Sequence, residues 1–159
     1  LTRTVDQLRP YQPAQREHVL GLSLNEAQQP YVAPIAQTLA ELHPRLGAHL
    51  IGHSEQIAGF FLIDQDYAQH YPFASADSVG LRSFFIDQRF QGLGLAKRSL
   101  QALPDYLRAQ HIAAAAVFLT VNCKNEAAIP LYRQCGFADT GQLYLDGGYG
   151  PQHIMRLAL

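Results

Sequence analysis

The sequence predicts an α/β fold of the mixed α+β kind, a single β-sheet with helices on both faces. Three observations predict it. Apolar runs of strand length recur along the chain, segments of helical periodicity alternate with them, and the composition is that of a folded protein, 48% hydrophobic and 16% charged. A chain of 159 residues buries about two thirds of its unfolded surface, so one domain over 1–159 is expected without disulfide or metal staples.

A strand is expected near Val5 to Arg9, followed by a helix from about Pro13 to Ser23 and a second near Val32 to Leu42. Ala48 to His53 and Ile57 to Asp64 read as strands, with His53-Ser54-Glu55-Gln56 as the hairpin turn. His49 and His53 have no acidic companion and read as surface or edge histidines, so no metal is expected. Residues 64–78 form a long connection whose Tyr67, Tyr71 and Phe73 suit a substrate wall and simple loop packing equally well. Val79 to Ile86 is a strand bounded by Asp87. Leu93, Ala96, Leu100, Leu103 and Leu107 then recur at steps of three and four, one buried helical face. Pro104 interrupts it and predicts a kink or a restart at Asp105. A strand at Ile112 to Val121 precedes a short helix carrying Ala128, Leu131, Tyr132 and Cys135, closed by Gly136 as C-cap and by Phe137. Pro130 in that helix predicts one forfeited hydrogen bond and a bend. Strands near Phe137 to Leu145 and Gln152 to Leu157, joined through the glycine-rich turn Tyr144 to Gly150, complete the order βααβββαβαββ.

Two of these elements carry chemistry. Gln91-Gly92-Leu93-Gly94-Leu95-Ala96-Lys97 opens a helix, where unpartnered amides and the positive end of the macrodipole suit a diphosphate. Glycine at 92 and 94 permits positive φ and close approach of the backbone. A dinucleotide fingerprint would need a third glycine where Lys97 stands, and a P-loop would need Gly-Lys-Ser/Thr where Gly94 is followed by Leu95. A plain glycine turn remains the alternative for this stretch alone. On the second element, Asn125, Ala128 and Tyr132 are spaced i, i+3 and i+7 and project from one helical face. An arbitrary buried Tyr more commonly caps a carbonyl.

Together, Gln-x-x-Gly-x-Ala at 91–96, Asn-x-x-Ala-x-x-x-Tyr at 125–132 and Gly136-Phe137 resemble the acyl-CoA site of the GNAT superfamily of N-acetyltransferases, and the element order resembles that family over nearly the whole chain. The resemblance implies a sheet whose strands at 79–86 and 112–121 run parallel and splay apart. It places backbone groups of Phe84, Phe85 and Ile86 and the loop Gln91 to Lys97 on acetyl-CoA as cosubstrate, with Asn125 and Ala128 along the pantetheine arm and the Tyr132 hydroxyl at the thioester sulfur. The acceptor it implies is a primary amine of a small molecule. Such an amine has a pKa near 10.4, so a group must take its proton, and Glu26, Asp64, Asp66, Asp77 and Asp87 are the carboxylates considered, with Glu26 set beside Tyr132 as catalytic. A phenol near 10 opposite a thiol near 8.5 can stabilise the leaving thiolate. Direct attack in a ternary complex needs no covalent enzyme intermediate.

The segments Leu22 to Pro34, Gly80 to Asp87 and Ile154 to Leu157 are similar to the bacterial diamine (spermine/spermidine) acetyltransferases, which makes a polyamine one acceptor; residues 64–78 depart from that pattern. A peptide N-terminus, a drug-like amine and a non-catalytic CoA sensor are the alternatives. A net charge of −1 with scattered basic residues gives no reason to expect nucleic acid. No apolar run suggests a membrane span, the first twenty residues lack signal-peptide order, and Cys123 and Cys135 read as free thiols, so a cytoplasmic protein, with a homodimer as its assembly, is expected.

Overall fold

The computed structural model describes residues 6–159, so the expected strand is seen from its second residue and Val5 lies outside the described residues. The strands are β1 (Asp6–Pro10), β2 (Leu46–His53), β3 (Gln56–Asp64), β4 (Ser78–Ile86), β5 (Ala116–Asn122), β6 (Ala138–Tyr144) and β7 (Gln152–Ala158). The helices are α1 (Arg16–Leu20), α2 (Ile35–Ala40), α3 (Tyr67–His70), α4 (Leu95–Ala109) and α5 (Ala128–Gln134). One sheet runs in the order β1-β2-β3-β4-β5-β7-β6. Every neighbouring pair is antiparallel except β4 and β5.

The alternation of β2 and β3 divides the core. Ile51, Phe61 and Ile63 face the buried stripe Leu95, Leu100, Leu103 and Leu107 of α4, while Leu50, Phe60 and Leu62 face Val19 and Leu39 of α1 and α2. Each fully buried leucine of that stripe contributes about 1.5–3 kcal/mol. The tight hairpin is as expected, with Ser54 (φ 47°) and Glu55 (φ 67°) both left-handed, the twist that matches a two-residue connection.

Several boundaries differ from expectation for local reasons. The first helix is a 3₁₀ turn at Pro13–Gln15 and then α1, which stops before Gly21. The second begins only after Pro34, because proline disfavours helical geometry in the residue before it, Ala33. β5 begins at Ala116, since residues 112–115 carry the chain from α4 back to the sheet, where Ala115 N–H donates to Asp77 O at 2.8 Å. Helix α4 continues through Pro104 with no restart at Asp105, its buried face spanning the proline. Pro130 is the third residue of α5, where a helical N–H has no intrahelical partner, so the expected lost hydrogen bond does not arise. His49 is neither at the surface nor on an edge strand: it is buried, stacks on Phe61, and its Nδ1 lies 2.5 Å from the Tyr106 hydroxyl.

The pairing of β4 with β5 is confined to Ser78–Ala116, Val79–Val117 and Gly80–Phe118. Beyond Gly80 the two strands part. At the same place β4 bulges against β3, the register slipping between Phe60 and Leu62, and Ser83 takes φ 54°. Gly80 is required there by packing, because a Cβ would lie 2.0 Å from Cδ1 of Tyr67.

Candidate active site

The gap between β4 and β5 opens into a cavity of about 370 Å³. Phe84, Phe85 and Ile86 of β4 line it, with Gln91 in the loop before α4, Ala96 in the first turn of that helix, and Ala128 and Tyr132 on α5; Asn125 also lines it but sits in the turn before α5, not on the helical face expected to carry all three. Glu26, Gly92, Leu93, Gly94, Leu95 and Lys97 are not in its wall.

The loop into α4 has the geometry an anion needs. Gly92 (φ 81°) and Gly94 (φ 76°) are both left-handed, and the amides of Gly92 to Lys97 have no hydrogen-bond partner among the described residues. A Cβ on Gly92 would meet nothing within 4 Å, whereas one on Gly94 would lie 2.8 Å from Nη1 of Arg98, a group that also donates to Leu93 O at 2.8 Å. Leu93 is exposed, Leu95 is buried and anchors the helix, and Lys97 is exposed with its carbonyl 3.7 Å from Cys135 Sγ. Gln91 Nε2 donates to Ile86 O at 2.8 Å, so of the three backbone positions expected to be free for a ligand this carbonyl is already engaged.

Tyr132 is buried between Phe84 and Phe137, with ring centroids at 6.4 and 5.6 Å. Its hydroxyl caps no carbonyl and has no hydrogen-bond partner among the described residues, yet the side chain borders the cavity. Burial, with a smaller contribution from Cys135, raises the phenol well above its ordinary value and keeps it a proton donor. Transfer of its proton to a thiolate is therefore more costly than a phenol in water would suggest, and a hydrogen bond to sulfur is the service it can give.

Asn125 is buried, and its Oδ1 accepts from Gln28 Nε2 at 3.2 Å and from Ala128 N at 3.4 Å. The first bond ties the segment after α1 to the turn before α5, and the cavity wall also includes Asn25, Gln28 and Tyr31 of that segment.

None of the five carboxylates lines the cavity. Glu26 and Asp77 are exposed. Asp66 pairs with Arg45 Nε at 2.6 Å, and buried Asp64 pairs with Arg82 Nη1 at 3.1 Å. Asp87 is fully buried and accepts from Ser23 N, Arg89 N and Arg89 Nε at 2.8–2.9 Å. Burial alone would raise its carboxyl, but Arg89 and the two amides outweigh it and hold it below the usual carboxylate range. This acid is a strut between two segments, with no route to an incoming amine.

The long connection packs against the sheet, and part of it lines the cavity. Tyr67 stacks on Tyr71 at 4.3 Å, and Phe73 packs on Phe118 and Tyr144, while Tyr67 and Tyr71 also line the cavity. Arg82, Tyr31 and Tyr149 in the wall escaped the sequence reading. The alternation of β4 was the one signal for Arg82, a lone charge in an otherwise apolar strand. Cys123 and Cys135 are free thiols. No group of three or more His, Cys, Asp or Glu that could hold a metal occurs among the described residues, and none of their helices is long and apolar enough to cross a membrane.

Comparison with known proteins matches residues 9–137 to the model of the acetyltransferase (GNAT) family. A spermine/spermidine N(1)-acetyltransferase of Bacillus subtilis (strain 168) is 41% identical over 69 residues, which are 43% of this chain and 45% of that protein, so the match spans less than half of the relative. Among solved structures, spermidine N-acetyltransferase from Vibrio cholerae in complex with CoA and spermine superposes with a TM-score of 0.72 at 18% identity, covering 96% of this chain and 95% of that one. Aminoglycoside N(6')acetyltransferase from Legionella pneumophila gives 0.72 at 19% identity, covering 99% and 94%. At these identities the superpositions speak for the fold.

Proposed function

The chain belongs to the GNAT acetyltransferase family, and on that premise we propose that it transfers an acetyl group from acetyl-CoA to a primary amine of a small molecule, by direct attack in a ternary complex. Acetyl-CoA supplies the acyl thioester. The unpartnered amides of Gly92 to Lys97 at the head of α4 hold its diphosphate, as helix N-termini hold anions. Phe84 and Phe85 on the open edge of β4 take the place of a strand neighbour for the pantetheine amides, and Asn125 and Ala128 flank the arm.

The observation that carries the reading is the Tyr132 hydroxyl, which a buried side chain brings to the cavity wall and which has no hydrogen-bond partner among the described residues. It is left free to donate to the sulfur as the amine nitrogen attacks the thioester carbonyl and the C–S bond breaks. With no carboxylate in the wall, the ammonium proton leaves through water, and Glu26 receives no catalytic assignment. Spermine, spermidine and aminoglycosides, for which relatives and structural neighbours are named, head the amines to try. The same proposal sets the protein in the cytoplasm, as one domain and as a homodimer.

Turnover of acetyl-CoA with a panel of amines, read as a one-acetyl mass gain on the acceptor, tests the reading. An intact thioester across the panel with CoA still bound would replace the enzyme by a binding module.

A further inference from the structure

The cavity wall narrows the acceptor further, on the premise that acetyl transfer is the reaction. Its single charged side chain is Arg82, and no Asp or Glu lines it among the described residues. Arg82 lies on β4 immediately before the bulged Ser83. Its side chain is 35% exposed, and Nη1 donates to Asp64 Oδ2 at 3.1 Å. Asp64 is only 4% exposed, and its other oxygen accepts from Asp66 N at 2.9 Å, so it steadies the guanidinium from behind. Nε and Nη2 of Arg82 have no hydrogen-bond partner among the described residues. A planar fork with donors to spare, held in place at the rim of a cavity, suits bidentate recognition of a carboxylate.

The remaining wall on this side is aromatic and neutral. Tyr67 is packed in place by its stack on Tyr71 and by Gly80 beneath it, and Tyr31 and Tyr149 add two further phenol rings. A polycation would bring several positive charges to a cavity that already holds one and offers no carboxylate in return, an arrangement that selects against it. An amine with an anionic group elsewhere in the molecule meets the opposite situation.

We propose that the acceptor is a monoamine whose body carries a carboxylate, such as a free amino acid or a short peptide, with Arg82 binding the carboxylate and the tyrosines packing its apolar part. Arg82 is thus a specificity-determining residue.

The test uses the whole chain with acetyl-CoA and amines matched in skeleton: phenylalanine against phenethylamine, 4-aminobutyrate against butylamine, phenylalanylglycine as the peptide arm, and spermidine. Release of CoA thiol gives kcat/KM for each, and calorimetry with CoA alone gives cosubstrate binding separately. A carboxylate-bearing member is expected to exceed its carboxylate-free partner and spermidine by about tenfold or more. Arg82→Lys, which keeps the charge opposite Asp64 but loses the fork, is expected to erase most of that preference with CoA binding unchanged. Should Arg82→Lys fail to fold, the pair Arg82→Met with Asp64→Asn removes both charges and carries the same expectation. Spermidine preferred, matched pairs used equally, or CoA bound with no amine acetylated would each overturn the assignment while leaving the coenzyme site intact. Failure to bind CoA at all would overturn the acetyl-transfer reading, and this inference with it.

Discussion

Ser23 and Asp87 lie 64 residues apart in sequence, and the backbone N–H of the first donates to Oδ2 of the second at 2.9 Å. Gln88 doubles the link, its N–H donating to Ser23 O at 2.8 Å and its Nε2 to Ser23 Oγ at 3.0 Å. The segment that roofs the cavity is thereby fastened to the end of β4.

Replacing Asp87 by Ala is expected to cost about 1.5–3 kcal/mol, the scale of hydrogen bonds to a charged group, and to loosen the roof. Because the folded carboxyl is held below its unfolded value, this stability is full above the unfolded pKa and is lost as pH falls through the folded one. Urea titrations of wild type and Asp87→Asn should therefore begin to approach each other only as pH falls below about 4.

Tyr132→Phe removes a hydroxyl that has no hydrogen-bond partner among the described residues. The expected result is a fall in kcat of about 10–100-fold with an unchanged melting temperature. A large loss of stability with normal kcat would mark the hydroxyl as structural instead.

At Gly92 the space around a new Cβ is empty, so Gly92→Ala bears only the backbone penalty of its φ of 81°, about 1–2 kcal/mol. The methyl group nevertheless stands among the amides assigned to the diphosphate. CoA affinity measured by calorimetry is expected to drop about tenfold or more, whereas the melting curve moves by only a few degrees.

With no carboxylate in the cavity wall, kcat/KM should climb with pH toward the acceptor's own pKa and show no inflection from an enzyme acid. Loss of a general base costs about 10²–10⁴-fold, and Glu26→Gln should cost nothing of that size. A loss of kcat/KM of about 10²-fold or more in Glu26→Gln would restore Glu26 to the mechanism.

His49 is held down to about 4 by burial, against an ordinary value of 6.5. The neutral ring is the folded form, so stability is complete above 6.5 and declines as pH falls toward 4, by about 3 kcal/mol in all. The slope of unfolding free energy against pH in that window should flatten in His49→Gln; an equal slope in both proteins would show that another group sets it.

Much of this molecule was legible in sequence where the signal is periodic or punctuated. Ala96, Leu100, Leu103 and Leu107 of α4, the hairpin at Ser54 and Glu55, and the left-handed glycines at 92 and 94 all follow from local stereochemistry, whereas Leu93, expected on the same buried face, precedes the helix and is exposed, and Leu95 fills that place. Proline was read less well, because its effect depends on its place in the helix: Pro130 falls in the first turn and is harmless, and Pro104 is carried by the packing of its neighbours. The carboxylates were least legible. Nothing in the local sequence of Asp87 tells that Ser23 and Arg89 will surround it, and nothing beside Arg82 tells that Asp64 will stand behind it. The partnership of Asp87 with Ser23 is made where the segment after α1 meets the end of β4, and that of Arg82 with Asp64 by register between β3 and β4, neither of which local patterns encode.

Three residue pairs at Ser78 to Gly80 are all that stitch β4 to β5, and past them each strand keeps a neighbour on one side only. The molecule is thus two leaves, β1 to β4 and β5 to β7, sharing a short spine. Whatever lies between the leaves completes the missing rungs, so occupancy and rigidity become one property. Amide exchange along residues 81–86 and 119–122 ought to slow together when acetyl-CoA is added.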